Sequence, residues 1–144
     1  MPLIYLNCPV GTFKPEAKKA MAEELTTAAL KLEKLPDSDF VRSTVWIYIN
    51  EYPSENVYHG GSSIGTNVIS MEVNAFKGGL DDVAKQLLVE QFTFAISKNA
   101  DIGKNKPIPA YIIIREIDEN DWGIFGKIIS LESVRNSPVN LRPI

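Results

Sequence analysis

Ser43-Thr44-Val45-Trp46-Ile47-Tyr48-Ile49-Asn50-Glu51-Tyr52 is the stretch on which the reading of this chain turns. It alternates and is rich in β-branched and aromatic residues, which argues a strand. It closes a unit that opens with another strand-like apolar run, Leu3 to Cys8, and the turn Gly11-Thr12-Phe13-Lys14-Pro15. Pro15 suits a first helical turn, where a missing N–H is no loss. Ala17, Met21, Leu25, Ala28 and Leu32 follow at helical spacing, the stripe of an amphipathic helix. Leu35-Pro36-Asp37-Ser38-Asp39 breaks it before the second strand.

The same order returns downstream. Val68 to Phe76 reads as a strand and Lys77-Gly78-Gly79 as a turn. Asp81 and Asp82 suit a helix N-terminus, where the dipole favours anions. Val83, Leu87, Leu88, Gln91 and Ala95 continue at helical spacing, residues 99 to 109 form a polar loop, and Ala110 to Ile117 is strongly β-forming. The halves are offset by about 66 residues, with Ile49-Asn50-Glu51-Tyr52 answering Ile114-Arg115-Glu116-Ile117, so a whole supersecondary unit is duplicated. Each β-α-β unit calls for parallel strands and a right-handed crossover. The fold expected is α/β (α+β): a four-stranded mixed sheet with two helices on one face.

Each second strand runs into glycine-rich sequence, Tyr58-His59-Gly60-Gly61 in the first half and Asp121-Trp122-Gly123-Ile124-Phe125-Gly126-Lys127-Ile128-Ile129 in the second. Gly123 and Gly126 are expected at positive-φ positions of a short hairpin. Residues 133–144 have two prolines and little periodicity, as an extended tail lying on a neighbouring subunit would. One domain is expected over 1–144, with unit one at about 2–61, unit two at about 67–129 and the tail at 130–144.

The bulk numbers narrow the function classes. The chain has 144 residues, 44% hydrophobic and 23% charged, enough for one domain with a core. A net charge of −3 argues against a nucleic-acid footprint, which needs clustered positive charge. No apolar run approaches the roughly 20 residues of a membrane span. No charged segment precedes an apolar stretch at the start, so no signal peptide is expected. One cysteine and one histidine make a nitrogen–sulfur zinc site implausible. Cys8 reads as a small buried hydrophobe. A cytoplasmic, metal-free protein is expected.

The chain opens Met1-Pro2-Leu3-Ile4-Tyr5-Leu6. A proline in second place normally permits removal of the initiator methionine, leaving Pro2 with a free secondary amine at the head of a buried strand. Desolvation disfavours a charged amine, and nearby cations lower its pKa further. Such an amine serves as a base near neutral pH or as a nucleophile toward a carbonyl. A retained methionine would abolish that chemistry.

Pro2 heading a strand, the Gly11 turn, the duplicated unit and Asp121-Trp122-Gly123-Ile124-Phe125-Gly126 together resemble the tautomerase superfamily over roughly residues 2–129. That family includes 4-oxalocrotonate tautomerase, macrophage migration inhibitory factor, malonate semialdehyde decarboxylase and cis-3-chloroacrylate dehalogenase. The length is similar to that of the fused, two-unit members, and the resemblance implies a homotrimer, no cofactor and a small carboxylate substrate. It implies that Pro2 is catalytic, a general base for keto–enol tautomerisation of α-keto or unsaturated acids. Asp39 falls where the decarboxylase places an aspartate beside the proline, with Asp37 the neighbouring alternative. Decarboxylation or hydration through Pro2 and Asp39 is therefore a second reading, and a non-catalytic binding trimer a third. Trp122 matches an aromatic pocket wall, and Lys77 falls near an arginine that holds the substrate carboxylate. The chain departs from the dehalogenase, whose hairpin glutamate falls at Ile124 and whose helix histidine falls at Ala29.

The candidate cations are Lys77, Arg115 and Arg42, each with an ordinary alternative. Lys77 also reads as a solvated turn lysine, and Arg115 as the partner of Glu116 or of a cross-strand acid. Arg42, just before the second strand, has the same ambiguity. Asp39 also reads as a turn aspartate and Trp122 as core packing. His59 reads as solvated. Tyr5, Tyr58 and Tyr111 are candidate donors to an enolate oxygen, with nothing in the sequence to choose among them.

Overall fold

In the computed structural model, residues 1–62, 67–102 and 107–144 are described. The central strand is β1 (Leu3–Pro9), whose Ile4, Leu6 and Cys8 point into the core with no exposed surface. Helix α1 (Pro15–Leu32) starts with Pro15 in its first turn, as its sequence requires. It leads through the short α2 (Asp39–Ser43) to β2 (Trp46–Tyr52), which runs parallel to β1 with Leu6 opposite Ile49.

The second unit repeats this with β3 (Ile69–Phe76), α3 (Asp82–Asn99) and β4 (Ala110–Ile117), the last parallel to β3. Asp81 caps α3, its carboxylate accepting the Ala84 N–H at 2.8 Å. The two units join through β1 and β3, which pair antiparallel, so the sheet order is β2-β1-β3-β4. Helices α1 and α3 pack together over one face, and Met21, Leu25, Met71, Val73, Leu88 and Phe92 fill the space between them and the sheet. The expected duplicated β-α-β fold, with a mixed four-stranded sheet under two helices, is the one observed. On the opposite face Trp46, Tyr48, Tyr111 and Ile113 lie 45 to 80% exposed, so among the described residues that side of the sheet keeps large apolar side chains open to solvent.

Four details differ from the sequence reading. The apolar stripe of α3 is rotated: Ala84, Leu88, Phe92, Ala95 and Ile96 are buried, whereas Val83 and Leu87 face outward. Both stripes have helical spacing, and contact with α1 and the sheet selects between them. Residues 39–43, read as a break running into a strand, form a helical turn because Ser38 Oγ accepts the Val41 N–H at 3.3 Å. The hairpin of β5 (Gly123–Ile124) and β6 (Lys127–Ile128) takes its positive φ at Phe125 (52°) and Gly126 (74°), not at Gly123. Two adjacent positive φ values match the right-handed twist of a two-residue hairpin. The tail begins as a helix, α4 (Leu131–Arg135), and its last residue returns to its own chain, where the Ile144 N–H meets Ser43 Oγ at 2.9 Å. The polar loop expected at 99–109 lies in part, over 103–106, outside the described residues.

Candidate active site at the amino terminus

Pro2 is buried at the head of β1, where its carbonyl accepts the Trp46 N–H of the neighbouring strand at 3.3 Å. Met1 precedes it and is 2% exposed. It sits in a second apolar cluster made by Leu30 and Leu35 after α1, Val41 of α2, Phe76 of β3, and Leu131 and Val134 of α4. The sequence pattern assigns none of these a role at the amino terminus; they meet because α1, β3 and the C-terminal helix all end there.

The charge at this point is an anion. Glu33, 1% exposed at the C-terminal end of α1, places Oε2 2.5 Å from the terminal ammonium of Met1. Its other oxygen, Oε1, has no hydrogen-bond partner among the described residues. Gly79 lies against it: a Cβ there would stand 3.4 Å from Oε1 and 2.9 Å from the Phe76 carbonyl. Arg135 of α4 donates to the Glu33 backbone carbonyl, at 2.9 Å from Nη2, rather than to the carboxylate. Burial pushes the terminal ammonium's pKa down, Glu33 pulls it up, and Arg135 adds a smaller downward push. Removing one partner from such a buried pair costs about 3–5 kcal/mol, because the other charge is left stranded. Sequence reading missed Glu33 altogether. Its one signal is that it follows buried Ala29 and Leu30 at four and three residues, on the inward side of the helix end.

Two hollows share Leu3, Trp122 and Gly123 near the head of β1, and Pro2 itself lines neither. A cavity of about 110 Å³ is lined by Met1, Leu3, Thr44, Trp46, Trp122 and Ile124. A wider surface groove of about 440 Å³ runs on past Leu3 and Trp122 to Tyr5, Glu72, Asn74 and Arg115. Trp122 stands between them and is both wall and packing: its ring tilts against Phe76 with centroids 4.8 Å apart. The hairpin that follows holds it there, through the Ile129 N–H bonded to the Trp122 carbonyl at 3.1 Å.

The other expected site residues scatter. Arg115 lines the groove and reaches Glu72 across the strands at 3.0 Å, the cross-strand pairing that its sequence also allowed. Lys77 pairs with Asp118 at 3.2 Å, both more than half exposed, outside either hollow. Arg42 is engaged by Asp37 at 2.8 Å and by Glu23. Asp39 is exposed on the first turn of α2, and neither it nor Arg42 lines a hollow. Of the candidate donors, Tyr5 lines the groove and stacks on Tyr48 with centroids 5.3 Å apart, whereas Tyr111 is 80% and Tyr58 69% exposed. Cys8 is free and fully buried, and burial raises its thiol pKa. Among the described residues no group of three or more acidic, histidine or cysteine side chains could hold a metal, and no helix is long and apolar enough to cross a membrane.

Paired β-α-β units joined through antiparallel β1 and β3, under two helices, define the α+β class of this fold. The chain belongs to the tautomerase family: the family's profile, described as tautomerase enzyme, matches residues 2–67 and again 71–132, one match per unit. Among curated proteins none matches in sequence. Solved structures share the fold at low identity. A fused 4-OT, wild type, a symmetric trimer, superposes with a TM-score of 0.71 at 20% identity over 90% of this chain and 96% of that one. N1, a member of the cis-3-chloroacrylic acid dehalogenase family, gives 0.73 at 18% over 89% and 83%. The macrophage migration inhibitory factor of Toxoplasma gondii gives 0.69 at 16% over 88% and 99%.

Proposed function

We propose that this protein is a cofactor-free tautomerase of small α-keto or unsaturated carboxylic acids, with Pro2 as its general base. The observation that carries the reading is the pair of hollows at the head of β1, which share Trp122 and Leu3, next in chain to Pro2, and of which one is lined by Met1 and the other reaches Arg115. In the chain that has lost Met1, the neutral secondary amine of Pro2 takes the enol O–H proton of the substrate. The electron pair of the broken O–H bond becomes the carbonyl π bond, the pair of the enol C=C bond moves onto carbon, and there it takes the proton back from the amine as a new C–H bond. Base and acid are then one nitrogen, and no external reductant or oxidant is needed. Arg115 supplies the positive charge for the substrate carboxylate, exchanging part of its bond to Glu72 for one to the ligand. Tyr5, in the same groove, is the donor placed to meet the developing enolate oxygen.

A decarboxylase or hydratase working through Asp39 has less behind it, since that carboxylate is exposed and outside both hollows. The protein further works as a homotrimer, whose formation covers the open side of the sheet.

The test is ketonisation of phenylenolpyruvate by wild type and Pro2→Ala, with intact mass used to verify that Met1 is absent. Wild-type turnover that falls about 10²-fold or more in the variant is the expected result for loss of a general base. No turnover in either protein would make the chain a binding trimer instead. Undiminished turnover in Pro2→Ala would move the base elsewhere.

A further inference from the structure

Glu33 is a buried carboxylate that the tautomerase reading leaves without a task. Its surroundings fix it in place: its backbone is anchored by Arg135, Gly79 leaves room for Oε1, and Leu131 seals the far side. Its partner in the structure is the ammonium of a residue that the proposed chemistry requires to be absent. Removing Met1 leaves a carboxylate in an apolar cluster with neither oxygen paired.

The replacement cation is already close. The nitrogen of Pro2 is three bonds from that of Met1, so with standard bond lengths it lies no more than about 6 Å from Oε2 before anything moves. An opposite charge within that range stabilises a protonated amine. Other charges around the amino terminus are already engaged. Arg42 of α2 turns to Asp37 and Glu23, Lys77 after β3 turns to Asp118, and Glu119 accepts the Leu131 N–H at 2.7 Å. Arg135, behind Glu33, is the one cation among the described residues that opposes it there.

We propose that Glu33 is the positioning residue of Pro2: in the chain without Met1 its buried carboxylate takes the Pro2 amine as ion-pair partner, aims its nitrogen and sets how tightly it holds its proton. This rests on the reading of Pro2 as the working base and deepens it. Burial alone disfavours the protonated amine and leaves it a weak base, slow to take a proton from the substrate. Glu33 offsets burial, so that the same nitrogen can both accept and release a proton near neutral pH.

The experiment follows the amine directly and needs no turnover. Wild type and Glu33→Gln, both verified by mass to begin at Pro2, are treated with 3-bromopropiolate from pH 4 to 9, and the rate of the Pro2 adduct is read by mass spectrometry. The rate tracks the neutral amine, so the wild-type curve rises through a midpoint. In Glu33→Gln that midpoint moves to lower pH by about one unit, a tenfold gain in rate on the acid side, and Glu33→Asp restores it in part. A midpoint that stays put in Glu33→Gln overturns the proposal. Because that variant could fail to fold, a crystal structure of the wild-type chain beginning at Pro2 tests the pair independently. The Pro2 nitrogen within hydrogen-bond distance of a Glu33 oxygen supports it, and a nitrogen turned away from Glu33 ends it. A shifted midpoint in a protein with no tautomerase turnover would leave Glu33 in its role and sink the substrate reading alone.

Discussion

Arg115 interrupts an apolar strand; its guanidinium pairs with Glu72 across the strands, and the residue lines the groove with Trp122. It is 55% exposed, so the pair with Glu72 adds little stability and gives way readily to a ligand. Arg115→Ala should therefore fold normally and raise KM about tenfold or more, the loss expected for one hydrogen bond to a charged group. Lys77→Ala, in which only an exposed contact to Asp118 goes, should change KM less than about twofold. The reverse order in side-by-side kinetics would hand the carboxylate to Lys77. Glu33 is the opposite case: one carboxylate, almost wholly buried, whose meaning depends on what the amino terminus offers it. The sequence exposed Arg115 as a charge among Ile112, Ile113 and Ile114; it marked Glu33 hardly at all, because a lone acid near a helix end is commonplace.

The β5–β6 hairpin decides where Trp122 stands. Its turn forces positive φ on two successive residues, and only Gly126 accepts that without a Cβ penalty. Nothing crowds a Cβ at Gly126, so Gly126→Ala isolates the backbone term. We expect a loss of about 1–2 kcal/mol in urea unfolding, together with weaker substrate binding as the Trp122 wall loosens. An unchanged midpoint would mean that the hairpin contributes nothing to the folded state. At this scale periodicity identified every strand of the main sheet and both long helices. For α3 it placed Leu88 and Ala95 correctly but centred the stripe too far toward Val83, Leu87 and Gln91, because both alignments satisfy helical spacing and only contact with a second layer breaks the tie. Short α2 and α4 escaped because each is nucleated by one serine side chain, Ser38 or Ser130, too weak a signal against their loop-like composition.

For the whole molecule the open side of the sheet matters most. Trp46 and Tyr48 on one edge strand and Tyr111 and Ile113 on the other leave large apolar side chains exposed on a face whose middle carries Asn7, Glu72 and Asn74. Light scattering on the purified protein should give the mass of three chains, and Tyr111→Glu together with Ile113→Lys should lower it. A wild-type monomer would sink the trimer and require another cover for that face. The C-terminal segment behaves differently from its sequence expectation: Leu131 and Val134 close the amino-terminal cluster of their own chain. The start of the tail thus packs on its own chain, against Met1.

The sequence by itself determined the duplication, the strand and helix order, and the prominence of Pro2 and Trp122, because period-2 and helical patterning and turn glycines are local properties of the chain. It could not determine which charges converge on the amino terminus. Glu33, Arg135 and Gly79 are separated by 46 to 102 residues and meet where the first helix, the third strand and the C-terminal helix all end. Their effect on an amine arises from burial and distance, which only the tertiary structure sets.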